Sequence, residues 1–442
     1  MAEEEGKKGF GWLGCLLQLF VAGALLMVMG CAGLIGGSYF AFFNGIYTPP
    51  ESSTRALAVR GGTLYDGTDS KPKQGITVVI ERGKITCAKR GCGVPVGADI
   101  IDATGYAVLP GLTDLHLHFG AMVGDDLKAN PVSMMWDVMR HRPGVRRYLL
   151  ESGVTTIRSV GDDANNLPNT LAWLEDGTIG GPQIFAVGPI FTATGGHPAG
   201  TIYKEYPWLI ASGTRQVDDP DVAREEVKAV LESGYTGIKV VYDDNGGSIP
   251  KLDKMVMQAI VSEAVYAKVW VAAHTGSNAE IVDVVTAGVT TIEHGSFREE
   301  LTEETIALMA KKGVVLVPTL AVIEALAPDG LSLAKANAKA AYDGGVSVGV
   351  GSDTQGQKMA FGTSTIREIE LLMDAGIPGT AAIRGATGVA ADALGKSEEM
   401  GTLQDGRAGD LIVVGEAPWD DAGALAKVLV VIQDGRVVYD SR

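Results

Sequence analysis

Through the middle of the chain, short apolar runs alternate with longer stretches in which apolar residues recur every three or four positions. The runs Val154–Val160, Gln183–Ile190, Gly237–Tyr242, Val269–Thr275, Thr290–His294, Val314–Leu320 and Val346–Ser352 have the length and apolar content of buried strands. Val108–His118 is a run of the same kind and precedes them all. Between them lie helical stretches such as Asp221–Ser233, rich in Glu, Lys and Ala, and Asp253–Ala267. A strand–helix rhythm predicts a parallel sheet, and eight such strands is the number that closes a TIM-type (β/α)8 barrel.

The two ends of the chain follow a different pattern. Residues 56–107 and the stretch from Asp410 onward alternate apolar and polar positions over short runs punctuated by Gly and Asp, as strands and hairpins do. Gln433-Asp434-Gly435-Arg436 has the sequence of a tight hairpin turn. Both ends are therefore expected to build one small β-sandwich around an inserted barrel. The expected division is 1–46, 47–107, 108–399 and 400–442: an amino-terminal tip with a membrane anchor, the first part of the sandwich, the barrel, and the second part. The anchor rests on Gly9 to Phe43, which is almost free of charge and exceeds the roughly 20 apolar residues that span a bilayer. Lys7 and Lys8 ahead of it favour a cytoplasmic amino terminus. A single-pass protein with its catalytic body on the extracytoplasmic side is the expectation.

Composition narrows the partners. The 442 residues carry a formal net charge of −16, which argues against nucleic acid, since binding there depends on neutralising phosphates with Lys and Arg. A length of this order holds one large α/β domain and a smaller one. Of the four cysteines, Cys15 and Cys31 fall in the apolar run, while Cys87 and Cys92 flank a turn. A disulfide across that turn would suit an extracytoplasmic body.

The chemistry gathers at the ends of the expected barrel strands, where catalytic groups of such barrels sit. His116 and His118 are separated by one residue, so on a strand they point to the same side, about 6–7 Å apart, and can close on one cation. Lys239 follows on the fourth strand, His274 on the fifth, His294 on the sixth and Asp353 on the eighth. The chain has six histidines, and four of them fall at these points. Imidazole and carboxylate together suit Zn and neighbouring divalent metals.

Over residues 56–442 the chain resembles the amidohydrolase superfamily, close to its imidazolonepropionase-like branch. The resemblance is carried by Val-Leu-Pro-Gly-Leu-Thr-Asp-Leu-His-Leu-His ending at His118, by the ordered Lys, His, His and Asp, by Glu368-Ile-Glu-Leu-Leu-Met-Asp-Ala-Gly, and by the closing Gly401-Thr-Leu-Gln-Asp-Gly-Arg. It implies that His116, His118 and Asp353 hold one metal and His274 and His294 a second. Lys239, carbamylated by carbon dioxide, would bridge two divalent ions, zinc foremost. A metal-bridging hydroxide would attack an amide carbonyl, with Asp353 as general base and then acid. The substrate would be a small amide of the N-acyl amino acid or short-peptide type. Two other readings stand beside this one: a deaminase or cyclic-amide hydrolase of the same superfamily with one metal, and a non-catalytic membrane assembly protein. Family members often form homo-oligomers, a point the sequence leaves open.

Around the metal ligands, His197 in Thr194-Gly-Gly-His-Pro resembles a substrate-contacting histidine of the family, and Tyr242 is a candidate pocket residue. Arg158 could meet a substrate carboxylate or form a structural ion pair. The chain departs from relatives that cleave dipeptides at Gly276, where those carry a tyrosine that helps hold the substrate carboxylate. The departure argues against a proline- or basic-residue-directed peptidase, but not against amide hydrolysis.

Overall fold

The structure is a computed structural model that describes residues 20–33, 55–120, 131–162, 167–356 and 359–442, with the backbone alone for 131–140. Residues 20–33 are helical. Among the described residues no helix is long and apolar enough to cross a membrane. Most of the expected anchor, 1–46, lies outside the described residues.

The small domain is one eight-stranded sheet made from both ends of the chain. Its early strands are β1 (Leu57–Leu64), β2 (Lys73–Glu81), β3 (Lys84–Lys89), β4 (Asp99–Asp102) and β5 (Ala107–Pro110). The barrel follows with β6 (Leu112–Leu117), β7 (Val154–Ser159), β8 (Gln183–Ala186), β9 (Ile190–Thr192), β10 (Thr214–Gln216), β11 (Gly237–Val241), β12 (Trp270–His274), β13 (Thr291–Glu293) and β14 (Val315–Val317). The chain then returns to the small sheet with β15 (Leu411–Val414), β16 (Val428–Gln433) and β17 (Arg436–Asp440). The sheet order is β17-β16-β15-β5-β1-β2-β3, with β4 also paired to β1.

The expected sandwich is thus a single sheet folded over its own core. The fold begins in β1, whose register shifts on both sides of Gly62. A Cβ at Gly62 would lie 2.5 Å from Val108 Cγ2, so the sheet can bend there only around a residue without a side chain. The first half of β1 pairs with β4 and its last residues with β5. Alternation then serves two cores. Leu411, Val413, Val430 and Ile432 pack inward with Val59, Val78 and Ile80. Ile412, Val414 and Val431 face the other way and join the barrel's outer core with Leu109 and Leu149. This is why β15 and β16 read as unbroken apolar runs rather than as an alternating pattern. Both hairpin turns, Arg82-Gly83 and Asp434-Gly435, take positive φ at both positions, the two-residue geometry matched to strand twist. A disulfide joins Cys87 and Cys92 beside the β2–β3 hairpin.

The expected first strand, Val108–His118, is two strands in different sheets. The break falls at Gly111, where a Cβ would lie 2.2 Å from Thr155 Oγ1. β5 pairs antiparallel with β15, while β6 pairs parallel with β7. Within the barrel β6-β7-β8 and β9-β11-β12-β13-β14 run parallel, with β10 added beside β9. Thr236 N–H donates to Ala186 O and joins the two groups, so β8 and β9 act as one stave. Residues 346–354 close the ring through bridges from Val348 to Leu316 and from Thr354 to Leu117. This eighth stave lies close to its neighbours. A Cβ at Gly349 would meet Leu115 Cδ1 at 2.7 Å, and one at Gly351 would meet Val317 Cγ1 at 2.5 Å.

Candidate metal centre

The close approach at Gly349 and Gly351 sets Asp353 beside the end of β6. Asp353 N–H donates to His116 O at 2.6 Å, and its φ of 53° is one that side chains other than glycine rarely adopt. His294 (φ 67°) and Thr319 (φ 51°) share this left-handed backbone. Three such residues at the ends of three consecutive staves mark backbone strain concentrated at one place.

Five histidines stand in file there. Ring centroids are 5.6 Å apart for His118 and His116, 4.9 Å for His116 and His294, 4.6 Å for His294 and His274, and 5.1 Å for His274 and His197. Asp353 Oδ1 lies 3.2 Å from His118 Nε2 and 3.5 Å from His116 Nε2, and Oδ2 lies 3.9 Å from His294 Nδ1. Donor atoms of His116, His294 and Asp353 fall within 4.8 Å of one another, a group that draws on both of the expected metal positions.

Each of the four strand-end histidines has one ring nitrogen engaged. His118 Nδ1 is 2.8 Å from Gly161 O, His116 Nδ1 is 2.6 Å from Glu293 Oε2, His294 Nδ1 is 2.7 Å from Thr319 Oγ1, and His274 Nε2 is 3.3 Å from Asp243 Oδ2. A carbonyl or carboxylate acceptor fixes the proton on the engaged nitrogen and leaves a lone pair on the other. Metal-bound histidines are oriented in this way. Burial, reinforced by Lys239, holds His116 well below its ordinary pKa, and burial with His274 does the same for His294. Neutral imidazole is the metal-binding form. Burial opposes ionisation of Asp353, but His116, His118 and Lys239 together hold it down to about 2. The donor set therefore fits divalent cations, with imidazole nitrogens and an ionised carboxylate gathered at one place.

Lys239 on β11 is buried, and its ammonium makes no hydrogen bond or ion pair among the described residues. Burial, reinforced by Arg158, pushes it down to about 8 against the pull of Glu293 and Asp353. A substantial neutral fraction near physiological pH is what reaction with carbon dioxide requires. His197 stacks on His274 and its Nδ1 is 2.8 Å from Thr201 Oγ1. Tyr242 is a correction. Three residues past Lys239, it faces the opposite side of β11, joins the outer core, and its hydroxyl donates to Asp283 Oδ2 at 3.0 Å. The next residue, Asp243, is the one that reaches His274. Arg158 is structural: fully buried, it donates to Glu293 Oε1 at 2.7 Å, Thr291 Oγ1 at 3.0 Å and Leu115 O at 2.5 Å. His141, the sixth histidine, lies half-buried on the helix Pro131–Glu151.

Several supporting residues escaped the sequence reading. Glu293 bridges His116 and Arg158, and its signal was parity with Thr291 on β13, which places both side chains inside the barrel. Asp114 accepts from Ser352 Oγ and Thr365 Oγ1, both at 2.7 Å, tying β6 to the eighth stave. Arg298 donates to Asp243 Oδ1 at 2.7 Å and Glu280 Oε2 at 3.0 Å. Its guanidinium fills the space above Gly276, where an added Cβ would lie 2.7 Å from Arg298 Cζ.

Glu368 accepts from Ala321 N–H at 2.7 Å through Oε2, while Oε1 has no partner among the described residues. It thus anchors the start of the helix Leu320–Leu326 and, through it, Thr319. Burial pushes the Glu368 carboxyl up to about 8. A carboxyl with a raised folded pKa gives stability that is complete below its unfolded pKa and is lost as pH rises through the folded one. Melting of metal-free protein should therefore fall between pH 5 and pH 9 more steeply in the parent than in Glu368→Gln, which cannot ionise. Parallel melting curves in the two proteins would refute the assignment.

Comparison with known proteins places these features in a lineage. The amidohydrolase family model matches residues 107–438. Ochratoxinase from Aspergillus niger is 29% identical over 361 residues, which are 71% of this chain and 71% of that protein. Among solved structures, a Xaa-Pro dipeptidase with methionine bound in its active site superposes with a TM-score of 0.76 at 27% identity, covering 87% of this chain and all of the other. A prolidase complexed with N-methylphosphonate-L-proline gives a TM-score of 0.73 at 25% identity, with 87% and 100% covered.

Proposed function

Because the chain belongs to the amidohydrolase family, we propose that it cleaves the amide bond of N-acyl amino acids or short peptides, using two divalent metal ions, zinc foremost. The coarser part of this reading, a metal-dependent hydrolase of carbon–nitrogen bonds, follows from the family and from its amide-cleaving relatives. The observation that carries the finer part is the file of histidines, each with one ring nitrogen held by an internal partner, of which His116, His118 and His294 stand within 4 Å of the Asp353 carboxylate. Methionine in one relative and a proline phosphonate in another are both amino-acid ligands, which supports the substrate class.

His116, His118, His274, His294 and Asp353 would hold the metals, and Lys239, once carbamylated, would bridge them. Bound there, the metals would lower the pKa of a water and polarise the amide carbonyl. The chain's own residues do the rest. Asp353, ionised at neutral pH, accepts a proton from the attacking water and returns it to the departing amine. His118, oriented through Nδ1 by Gly161 O, stands with Nε2 beside that carboxylate. His197, which burial holds down to about 3, remains neutral beside His274 and can contact substrate as an uncharged hydrogen-bonding group. Lys239 would lose one proton to become the free amine, add carbon dioxide at Nζ and release a second proton, exchanging an ammonium that cannot ligate for an anionic carbamate.

A membrane-anchored, extracytoplasmic placement is part of the same proposal. It is supported by the uncharged run Gly9 to Phe43 and by the Cys87–Cys92 disulfide, a bond that persists in oxidising compartments. One observation favours a second reading: the compact group His116, His294 and Asp353 is what a mononuclear deaminase or cyclic-amide hydrolase would use. Elemental analysis of detergent-purified protein, paired with a panel of N-acyl amino acids and dipeptides, decides between them. Two metals per chain and amide cleavage that a chelator abolishes would support the first reading. One metal per chain with deamination or lactam opening would support the second.

A further inference from the structure

Arg298 is a partly exposed cation that borders the histidine file. Arg158 and Lys239 lie beneath the file and are buried. Arg298 keeps a quarter of its side chain open to solvent. It is held from two sides, by Asp243 and Glu280, at 2.7 and 3.0 Å. Asp243 is the same carboxylate that engages His274, so the guanidinium stands one carboxylate away from the file. Its Cζ lies over the Phe297 ring, 5.2 Å from the centroid, and that ring meets His274 edge-on at 6.1 Å.

Gly276 makes this placement possible. Any side chain at 276 would overlap the guanidinium, with Cζ, Nη1 and Nη2 all between 2.7 and 2.8 Å from the added Cβ. The absence of a side chain on the β12 loop and the presence of a long cation on the β13 loop therefore form one device. Neither carboxylate belongs to Arg298 alone. Asp243 is shared with His274, and Glu280 with Lys251 at 3.3 Å. A guanidinium has more N–H donors than the two it spends on these partners, and a rigid fork matched to a carboxylate. The fork is pre-set by its anchors, so little conformational freedom remains to be lost when an anion arrives.

We propose that Arg298 is the specificity-determining residue that recognises a free carboxylate on the substrate beside the scissile amide. The inference rests on the amide-hydrolase reading above and names the substrate feature that this site selects.

The test compares acetate release from N-acetyl-L-amino acids with release from their carboxamides, in the metal-loaded full chain. The parent should prefer the acids. Arg298→Met should lower kcat/KM for the acids roughly 10- to 100-fold more than for the carboxamides, the worth of a charge-assisted hydrogen-bonded pair. Arg298→Lys, which keeps the charge but loses the fork, should fall between. Equal loss for acids and carboxamides would mean that Arg298 acts only by holding Asp243 and His274, and would overturn the proposal. No preference in the parent would overturn it without any variant. If the parent cleaves nothing on the panel, the hydrolase reading fails, and calorimetric binding of N-acetyl-L-phenylalanine against its carboxamide takes over. Tighter binding of the acid that Arg298→Met removes would sustain the proposal. Equal binding, or none, would end it.

Discussion

Lys239→Met is expected to abolish most amide hydrolysis, lowering kcat/KM by roughly 10³-fold or more, because groups that act as one catalytic unit fail together. Metal content should fall in parallel. Lys239 is buried on β11 and makes no hydrogen bond or ion pair among the described residues. A buried ammonium without a partner is unfavourable for folding. Methionine has nearly the same reach and carries no charge, so the metal-free variant should melt at the same temperature as the parent or above it. The two expectations have opposite signs, which separates a functional lysine from a structural one. Thermal unfolding of chelator-treated protein supplies one measurement, and elemental analysis with a hydrolysis assay supplies the other. A variant that keeps both its metal and its activity would dispose of the bridging role. Reconstitution in bicarbonate and in buffer free of carbon dioxide adds a further check, since the parent alone should respond.

Arg158→Met should cost about 3–5 kcal/mol of folding stability, the range for breaking a buried ion pair from one side. Arg158 and Glu293 are both fully buried and 2.7 Å apart. Glu293 also accepts from Thr291 and engages His116. Removing the guanidinium leaves a carboxylate in the barrel without its cation. Such a carboxylate takes up a proton, so the deficit should shrink toward acid pH. Adding Glu293→Gln to Arg158→Met should recover part of the stability, because no uncompensated charge remains. It should not recover the metal site. His116 Nδ1 would face an amide in place of a carboxylate, and loss of such an orienting partner lowers metal affinity roughly 10- to 100-fold. Chemical denaturation of the metal-free proteins gives the first quantity and competition with a chromogenic chelator the second. If the double variant were no more stable than the single one, the account of Glu293 as an orphaned charge would be wrong.

Much of this protein is written locally. The strand–helix rhythm, the hairpin Gln433–Arg436 and the strand-end positions of His116, His118, Lys239, His274, His294 and Asp353 depend on spacings of a few residues. A period of two or of three to four can be read along the chain without knowing what lies across from it. What escaped reading depended on the facing of a strand or on distant partners. Tyr242 and Asp243 are neighbours, and only the orientation of β11 sends the first outward to Asp283 and the second to His274. Val108–His118 is one apolar run in sequence, yet Thr155, pressed against Gly111, divides it between two sheets.

The supporting shell is the least legible part. Glu293 meets Arg158 across a separation of 135 residues, Arg298 meets Asp243 across 55, and Glu368 meets Ala321 N–H across 47. Nothing in the local pattern marks these pairs, because a side chain's partner across a barrel is chosen by closure of the ring and not by chain neighbours. The candidate ligand residue types and their order along the barrel were thus determined by the sequence. Which ring nitrogen each histidine leaves free, and which cation borders the site, were decided only when the staves closed and brought acceptors and carboxylates within hydrogen-bonding distance.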